Sequence, residues 1–129
     1  MPDEFLARFY RTISFGPGEP FHAGEFRALF LPNALLLERT ETGYAAKTVE
    51  EHIREFEAAV LDYPQLFAAG FDERQASLEW TEQNGVYLAH SCYEKRYTRA
   101  GEPVTEHGVN HFTILTDGAE PRIACAVWE

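Results

Sequence analysis

Beyond Gly70 the apolar residues stop recurring at three- and four-residue intervals and begin to alternate with polar ones. Helices and strands bury their faces with different periods, so this switch divides the chain into a helical half and a sheet half. After it, QASLEWTE (75–82) and VYLAHSCYEKRY (86–97) flank Gln83-Asn84-Gly85. Asn-Gly supplies the positive φ angles of a tight type I′ turn, which predicts an antiparallel hairpin. RAGEP then leads to the strand VTEHGVNHFTIL (104–115), and TDGAEP leads to RIACAVWE (122–129). The expected product is an antiparallel meander of three or four long strands.

The first half reads differently. In PDEFLARFYRTIS, Phe5, Leu6, Phe9, Tyr10 and Ile13 form one apolar stripe, with Pro and two acids in the opening turn. FGPGEP (15–20) breaks that helix, and a second short one is predicted over HAGEFRALF (22–30), ending where Pro32 removes a donor. ALLLERTE (34–41) reads as the first strand. Thr48 stands three residues ahead of Glu51 in TVEEHIREFEAAVLDY, the spacing of a capping box, so a third helix starts there with Val49, Ile53, Phe56 and Val60 on its buried stripe. PQLFAAGF adds a further turn. Helices gathered ahead of strands imply an α+β fold, with the N-terminal helices packed in the concave face of a curved antiparallel sheet. Such a cone is open at one end, where a pocket belongs. No repeat or linker interrupts residues 1–129, so one domain is expected.

Charge narrows the partners. The 21 acidic and 11 basic side chains give a formal net charge of −10, which repels nucleic-acid phosphates and anionic membranes. Runs such as ALLL are too short to span a bilayer, and MPDEFLARFY opens on acids, so a cytoplasmic location is expected. Cys92 and Cys125 lack a CxxC spacing and read as two small buried thiols in a reducing compartment. No glycine-rich phosphate loop is present, so no nucleotide or other cofactor is expected.

Three stretches carry a family likeness: EFLARFYRTIS, FRALFLPNALLLER, and HFTILTDGAEPRIACAVWE, the last with a strand, an Asp117-Gly118 turn and a strand ending in an aromatic. The order and lengths of the elements resemble the nuclear transport factor 2-like superfamily, the cystatin-like α+β cone of ketosteroid isomerases, scytalone dehydratase and SnoaL-like cyclases. GVYLAHSCYEKR followed by GVNHFTIL looks like an uncharacterised bacterial group within it. FGPGEPFHAGE departs from the family's usual Gly-Asp between the first two helices.

The resemblance implies site residues. A strand carboxylate acts as general base in the isomerase branch, and Glu38 occupies the matching position; an apolar cavity would raise its pKa toward working pH. Ketosteroid isomerase is a standard illustration of such tuning. Asn110 lies near the position of the family's second oxygen-stabilising acid, and Tyr10 is the candidate for the other donor. Alternation places Gly108, Asn110, Phe112 and Ile114 on one face of their strand and His107, Val109, His111 and Thr113 on the other. The first set is the more apolar and is expected to face the helices. His107 and His111 then serve solvent or a subunit interface. A His-x-x-x-His pair on a strand is split by about 13 Å, so no metal site is expected. His90, Cys92 and Glu94 share a face, but residues two apart on a strand stand roughly 6 to 7 Å apart, too far for a Cys–His nucleophile.

Two functional readings follow. One is a small-molecule-binding domain holding an apolar organic ligand, with isomerase, dehydratase or cyclase chemistry: Glu38 as base, His90 as auxiliary proton carrier, and Tyr10, Asn110, Phe112 and Trp128 on the ligand. The other is a non-catalytic homodimeric module with a filled core, paired through the outer sheet face by His107, His111 and Trp128.

Overall fold

Four helices and six strands make up the described residues of the computed structural model, 2–116 and 120–129. Helix α1 (Pro2–Thr12) buries Phe5, Leu6, Phe9 and Tyr10 along the expected stripe, with Asp3 and Glu4 at its positive end and Arg11 at its negative end. Ser14 closes it: the hydroxyl donates to the Tyr10 carbonyl at 2.8 Å and accepts the Glu73 N–H at 2.9 Å, pinning the helix end to the third strand.

The second helix is shorter than its sequence suggests. Helix α2 covers Ala23–Ala28, and strand β1 (Phe30–Thr40) has begun before Pro32. Pro32 sits inside the strand, where pairing with the last strand is irregular between Phe30 and Leu35, so its missing N–H leaves no ladder bond unmade. Strand β2 (Gly43–Thr48) was not expected; GYAAKT is mostly exposed and pairs only with β1, so it carries no alternating apolar signal. Helix α3 (Val49–Asp62) starts on the full capping box: Glu51 N–H to Thr48 Oγ1 at 3.1 Å and Thr48 N–H to Glu51 Oε1 at 3.0 Å. Such a cap stabilises by about 1 kcal/mol. The turn after Tyr63 is helix α4 (Pro64–Phe67).

Strands β3 (Asp72–Gln83), β4 (Val86–Arg99), β5 (Glu102–Leu115) and β6 (Arg122–Trp128) follow. Asn84 and Gly85 take φ of 53° and 82°, as a type I′ hairpin requires. The Asp117-Gly118 turn lies outside the described residues. The sheet order is β2-β1-β6-β5-β4-β3. The α+β class and the curved sheet hold, with one correction: β6 pairs antiparallel with β5 but parallel with β1, so the sheet is mixed. Local sequence patterns do not encode a contact across some ninety positions. Register irregularities at Gln75/Ser77 and Thr113/Ile114 are places where the strands can bend.

The helices cover one sheet face. Ala89, Ser91 and Tyr93 of β4, Asn110, Phe112 and Ile114 of β5, and Ile123 and Ala126 of β6 are buried beneath them, which bears out the inward set read for β5. No helix among the described residues is long and apolar enough to cross a membrane.

Candidate functional site

Between helices and sheet lies a cavity of about 200 Å³. Its wall is aromatic: Phe9 from α1, Phe26 from α2, Phe56 from α3, and Phe112 and Trp128 from the sheet. An apolar cavity of roughly 150 Å³ holds benzene, so this one has room for a single ring with small substituents. Five polar side chains break the wall: His52, Glu73, Tyr93, Lys95 and Asn110.

Strand registers explain how they meet. Glu73, Lys95 and Glu106 pair across β3, β4 and β5, and Gln75, Tyr93 and Gly108 form the neighbouring inward row. Ser91, Asn110, Trp128 and Glu38 form the next. Gly108 matters for the middle row, because a Cβ there would stand 2.4 Å from the Tyr93 ring. Only glycine lets that ring cross β5 and reach the cavity.

Glu73 is the electrostatic centre. Burial pushes its carboxyl up to about 7, against the opposing pull of the Lys95 ammonium and the Asn110 amide. A carboxyl poised near neutrality can both take and return a proton at working pH. Behind it runs a buried hydrogen-bond chain. Ser91 Oγ donates to Gln75 Oε1 at 2.7 Å, so the Tyr10 hydroxyl donates to Ser91 Oγ at 2.6 Å and accepts from Asn110 Nδ2 at 3.1 Å. The Tyr10 proton is therefore committed to Ser91. Desolvation raises its pKa to about 12 and that of Tyr93 higher still, so both phenols stay protonated.

The expected site residues fall into three groups. Asn110, Phe112 and Trp128 line the cavity. Tyr10 is not among the lining residues; it packs behind the wall on Phe9 and Tyr93 and hydrogen-bonds the Asn110 amide, which it orients. Glu38 and His90 stand apart. Glu38 is half-exposed at the mouth, in a surface depression that shares Tyr93, Lys95 and Trp128 with the cavity, and its carboxylate lies 3.9 Å from Lys47. His90 is exposed on the outer face, its ring edge-on to His111 with centroids 4.6 Å apart. That placement corrects its reading as a pocket acid or base: β4 turns Ser91 and Tyr93 inward instead. Trp128 faces inward, which likewise removes it from an outer subunit contact. Cys92 and Cys125 are free thiols but not buried ones: Cys92 is exposed on the outer face of β4 beside His90, and Cys125 is half-buried. The described residues contain no cluster of three potential metal ligands.

Glu73, Lys95, Tyr93 and His52 were missed by sequence reasoning. His52 had a signal, lying three residues after Val49 and four before Phe56 on the buried stripe of α3. Its ring stacks on Phe26 with centroids 5.7 Å apart and meets Trp128 edge-on at 5.3 Å. Burial, helped by Lys47, lowers its pKa to about 4, so the imidazole is neutral.

No protein-family model matches the chain, and no curated protein sequence matches it significantly. Solved structures do. Aln2 from a Streptomyces species is 17% identical with a TM-score of 0.74, over 99% of this chain and 86% of that one. A candidate scytalone dehydratase from Novosphingobium aromaticivorans is 9% identical at a TM-score of 0.75, over 99% and 80%. A protein of unknown function with a cystatin-like fold from Nostoc punctiforme is 17% identical at 0.68, over 99% and 86%. These likenesses concern the backbone, and with the helix-filled sheet described above they identify the architecture. The chain has the fold of the nuclear transport factor 2-like α+β cone.

Proposed function

We propose that this cone binds a small, largely apolar organic molecule and catalyses proton transfer on it, chemistry of the isomerase, dehydratase or cyclase kind, with Glu73 as the proton-transferring group. The observation that carries the reading is a carboxyl raised to about 7 in a ring-lined cavity, beside an amide and an ammonium. The likeness to a candidate scytalone dehydratase supports the reaction class. In this reading the Glu73 carboxylate removes a proton from carbon next to a ligand carbonyl. The electron pair moves onto the carbonyl oxygen, where the second Asn110 N–H, the Tyr93 hydroxyl and Lys95 offset the developing charge. Protonated Glu73 then returns the proton, to another carbon in an isomerisation or to a departing hydroxyl in a dehydration. Tyr10 holds the Asn110 amide in position. Glu38, in water at the mouth, and His90, on the far side of the sheet, take no part in the transfer.

Deuterium exchange tests this directly. One-ring cyclic enones and ketones incubated with the protein in D2O should exchange the hydrogen beside the carbonyl, followed by proton NMR. Glu73→Gln should slow exchange by about 10²-fold or more, the scale of general-base catalysis, while Glu38→Gln should leave it near the wild-type rate. Equal exchange in wild type and Glu73→Gln would remove Glu73 from the role.

A homodimer through the outer sheet face belongs to the same proposal. Leu88, Thr113, Cys125 and Leu35 form one cross-strand row there, and Leu88 and Leu35 are 53% and 47% exposed. Light scattering at micromolar concentration should give twice the 14.7 kDa chain mass. Leu88→Asp should return it to the single-chain value. The two free thiols support a reducing, cytoplasmic setting.

A further inference from the structure

Lys95 is the middle member of a charged row that crosses three strands. Glu73 on β3, Lys95 on β4 and Glu106 on β5 stand directly opposite one another, so their side chains leave the same face of the sheet. The row runs from inside to outside: Glu73 lines the cavity, Glu106 lines the surface depression at its mouth, and Lys95 lines both. One ammonium thus stands between two carboxyls. Its ion pair is with the outer one, 3.3 Å from Glu106 Oε1, although Glu73 is its direct cross-strand neighbour on the other side.

The surroundings of both carboxyls are compatible with that arrangement. Arg99 stands 3.7 Å from Glu106. Against a desolvation penalty, the Tyr97 hydroxyl, Lys95 and Arg99 keep the Glu106 carboxyl below its ordinary value, so it is already ionised where Glu73 takes up and releases its proton. Around Glu73, Tyr10 on α1 and Tyr93 on β4 stay protonated, His52 on α3 is neutral, and Asn110 on β5 carries no charge. Asp72 on its own strand opposes ionisation. Arg11 of α1 and Arg74 of β3 border the surface groove behind Glu73, with Arg74 paired to Asp72 and Glu94. Lys95 is the cation that pulls on the carboxyl.

We propose that Glu106 is a positioning residue for the proton transfer: it holds the Lys95 ammonium at the mouth, so that the cation does not close onto the Glu73 carboxylate and stays where an oxygen of the ligand can meet it. The inference rests on the reading of Glu73 as the proton-transferring group and adds what keeps that group basic. A carboxylate with a cation seated on it is a weaker base and has fewer lone pairs to offer a ligand. Without Glu106 the long lysine side chain would swing inward to Glu73, since a pair inside the cavity is screened less than one at the surface. With Glu106 in place the ammonium is matched outside, where it loses little of its hydration. Glu106 acts on the transfer only through Lys95.

Carbon-13 NMR of the side-chain carboxyls tests this on the protein alone, the Glu73 signal being the one missing from Glu73→Gln. In wild type that signal should titrate at about 7. Glu106→Gln should lower the midpoint by about one pH unit, a tenfold loss of proton affinity, and Lys95→Met should raise it. In the double variant Glu106→Gln has no ammonium left to release, so the midpoint should match that of Lys95→Met. A midpoint unmoved by Glu106→Gln, or one lowered as much in the Lys95→Met background as in wild type, would overturn the positioning role while leaving Glu73 as the proton-transferring group. A wild-type midpoint near the free-chain value of 4.5 would overturn both readings together. Glu106 is half-exposed, so Glu106→Gln keeps the fold and decides the matter even if Lys95→Met does not fold.

Discussion

Glu73→Gln is expected to make the protein more stable than wild type at pH 8, by about 3 kcal/mol, while the two are nearly equal at pH 4. The carboxyl titrates at 4.5 in a free chain and at about 7 in the fold. Between those values the folded state holds a proton that the unfolded state has released, so stability falls as pH rises through the window and stays low above it. A tenfold change in proton affinity corresponds to about 1.4 kcal/mol, which sets the size. Gln retains the shape and removes the titration. His52 contributes the opposite slope: its pKa drops from 6.5 to about 4, so the folded state holds fewer protons there and stability climbs with pH across that interval. The two slopes largely offset one another in wild type from about pH 4.5 to 6.5. In Glu73→Gln the rising slope should stand alone. Urea unfolding at pH 4, 6 and 8 measures this, and identical profiles for wild type and variant would refute the perturbed carboxyl.

Phe26→Ala should cost about 3 to 5 kcal/mol, the range for deleting a buried aromatic side chain. Phe26 is 1% exposed, and its ring lies 4.8 Å from that of Phe30 and 5.6 to 5.8 Å from those of Phe21, Phe9 and His52. Domains of this size are stable by some 5 to 15 kcal/mol, so the variant should be folded but marginal. Phe26 also forms cavity wall, and its loss should admit ligands one ring larger. Urea midpoints with the unfolding slope check the first effect, and binding of a naphthol against a phenol checks the second. A cost under about 1 kcal/mol would show that the neighbouring rings collapse into the space.

Much of the frame could be read before any coordinates. The Thr48–Glu51 capping box, the Asn84-Gly85 turn and the inward set of β5 each rest on a local rule, and each stands as expected. The site was less legible. Alternation along β4 separates His90, Cys92 and Glu94 from Ser91, Tyr93 and Lys95, but it does not say which set turns inward. That choice follows from packing: Tyr93 crosses β5 only where Gly108 leaves room, a fit between two strands that neither shows alone. Glu73 lies ahead of the strand read over 75–82, and the irregularity at Gln75/Ser77 shifts the phase of β3, so extending the alternation back from Ser77 would turn it to the wrong face. Glu38 was drawn in by likeness to a family whose base lies on the first strand, while here the enclosed carboxyl comes from β3. The Tyr10 hydroxyl reads as a free donor in the sequence, and only its neighbours reveal that Ser91 has claimed its proton.

The position of β6 has a consequence for how the molecule assembles. Among the described residues it is the one strand that pairs with both the β1–β2 ribbon and the β3–β5 ribbon. During synthesis the two ribbons can each form early from neighbouring residues, yet they stay unstitched until residues 122–128 leave the ribosome and slide between them. A nascent chain stalled before Arg122 therefore carries two raw edges, one on β1 and one on β5, each able to recruit a stranger's strand in place of its own.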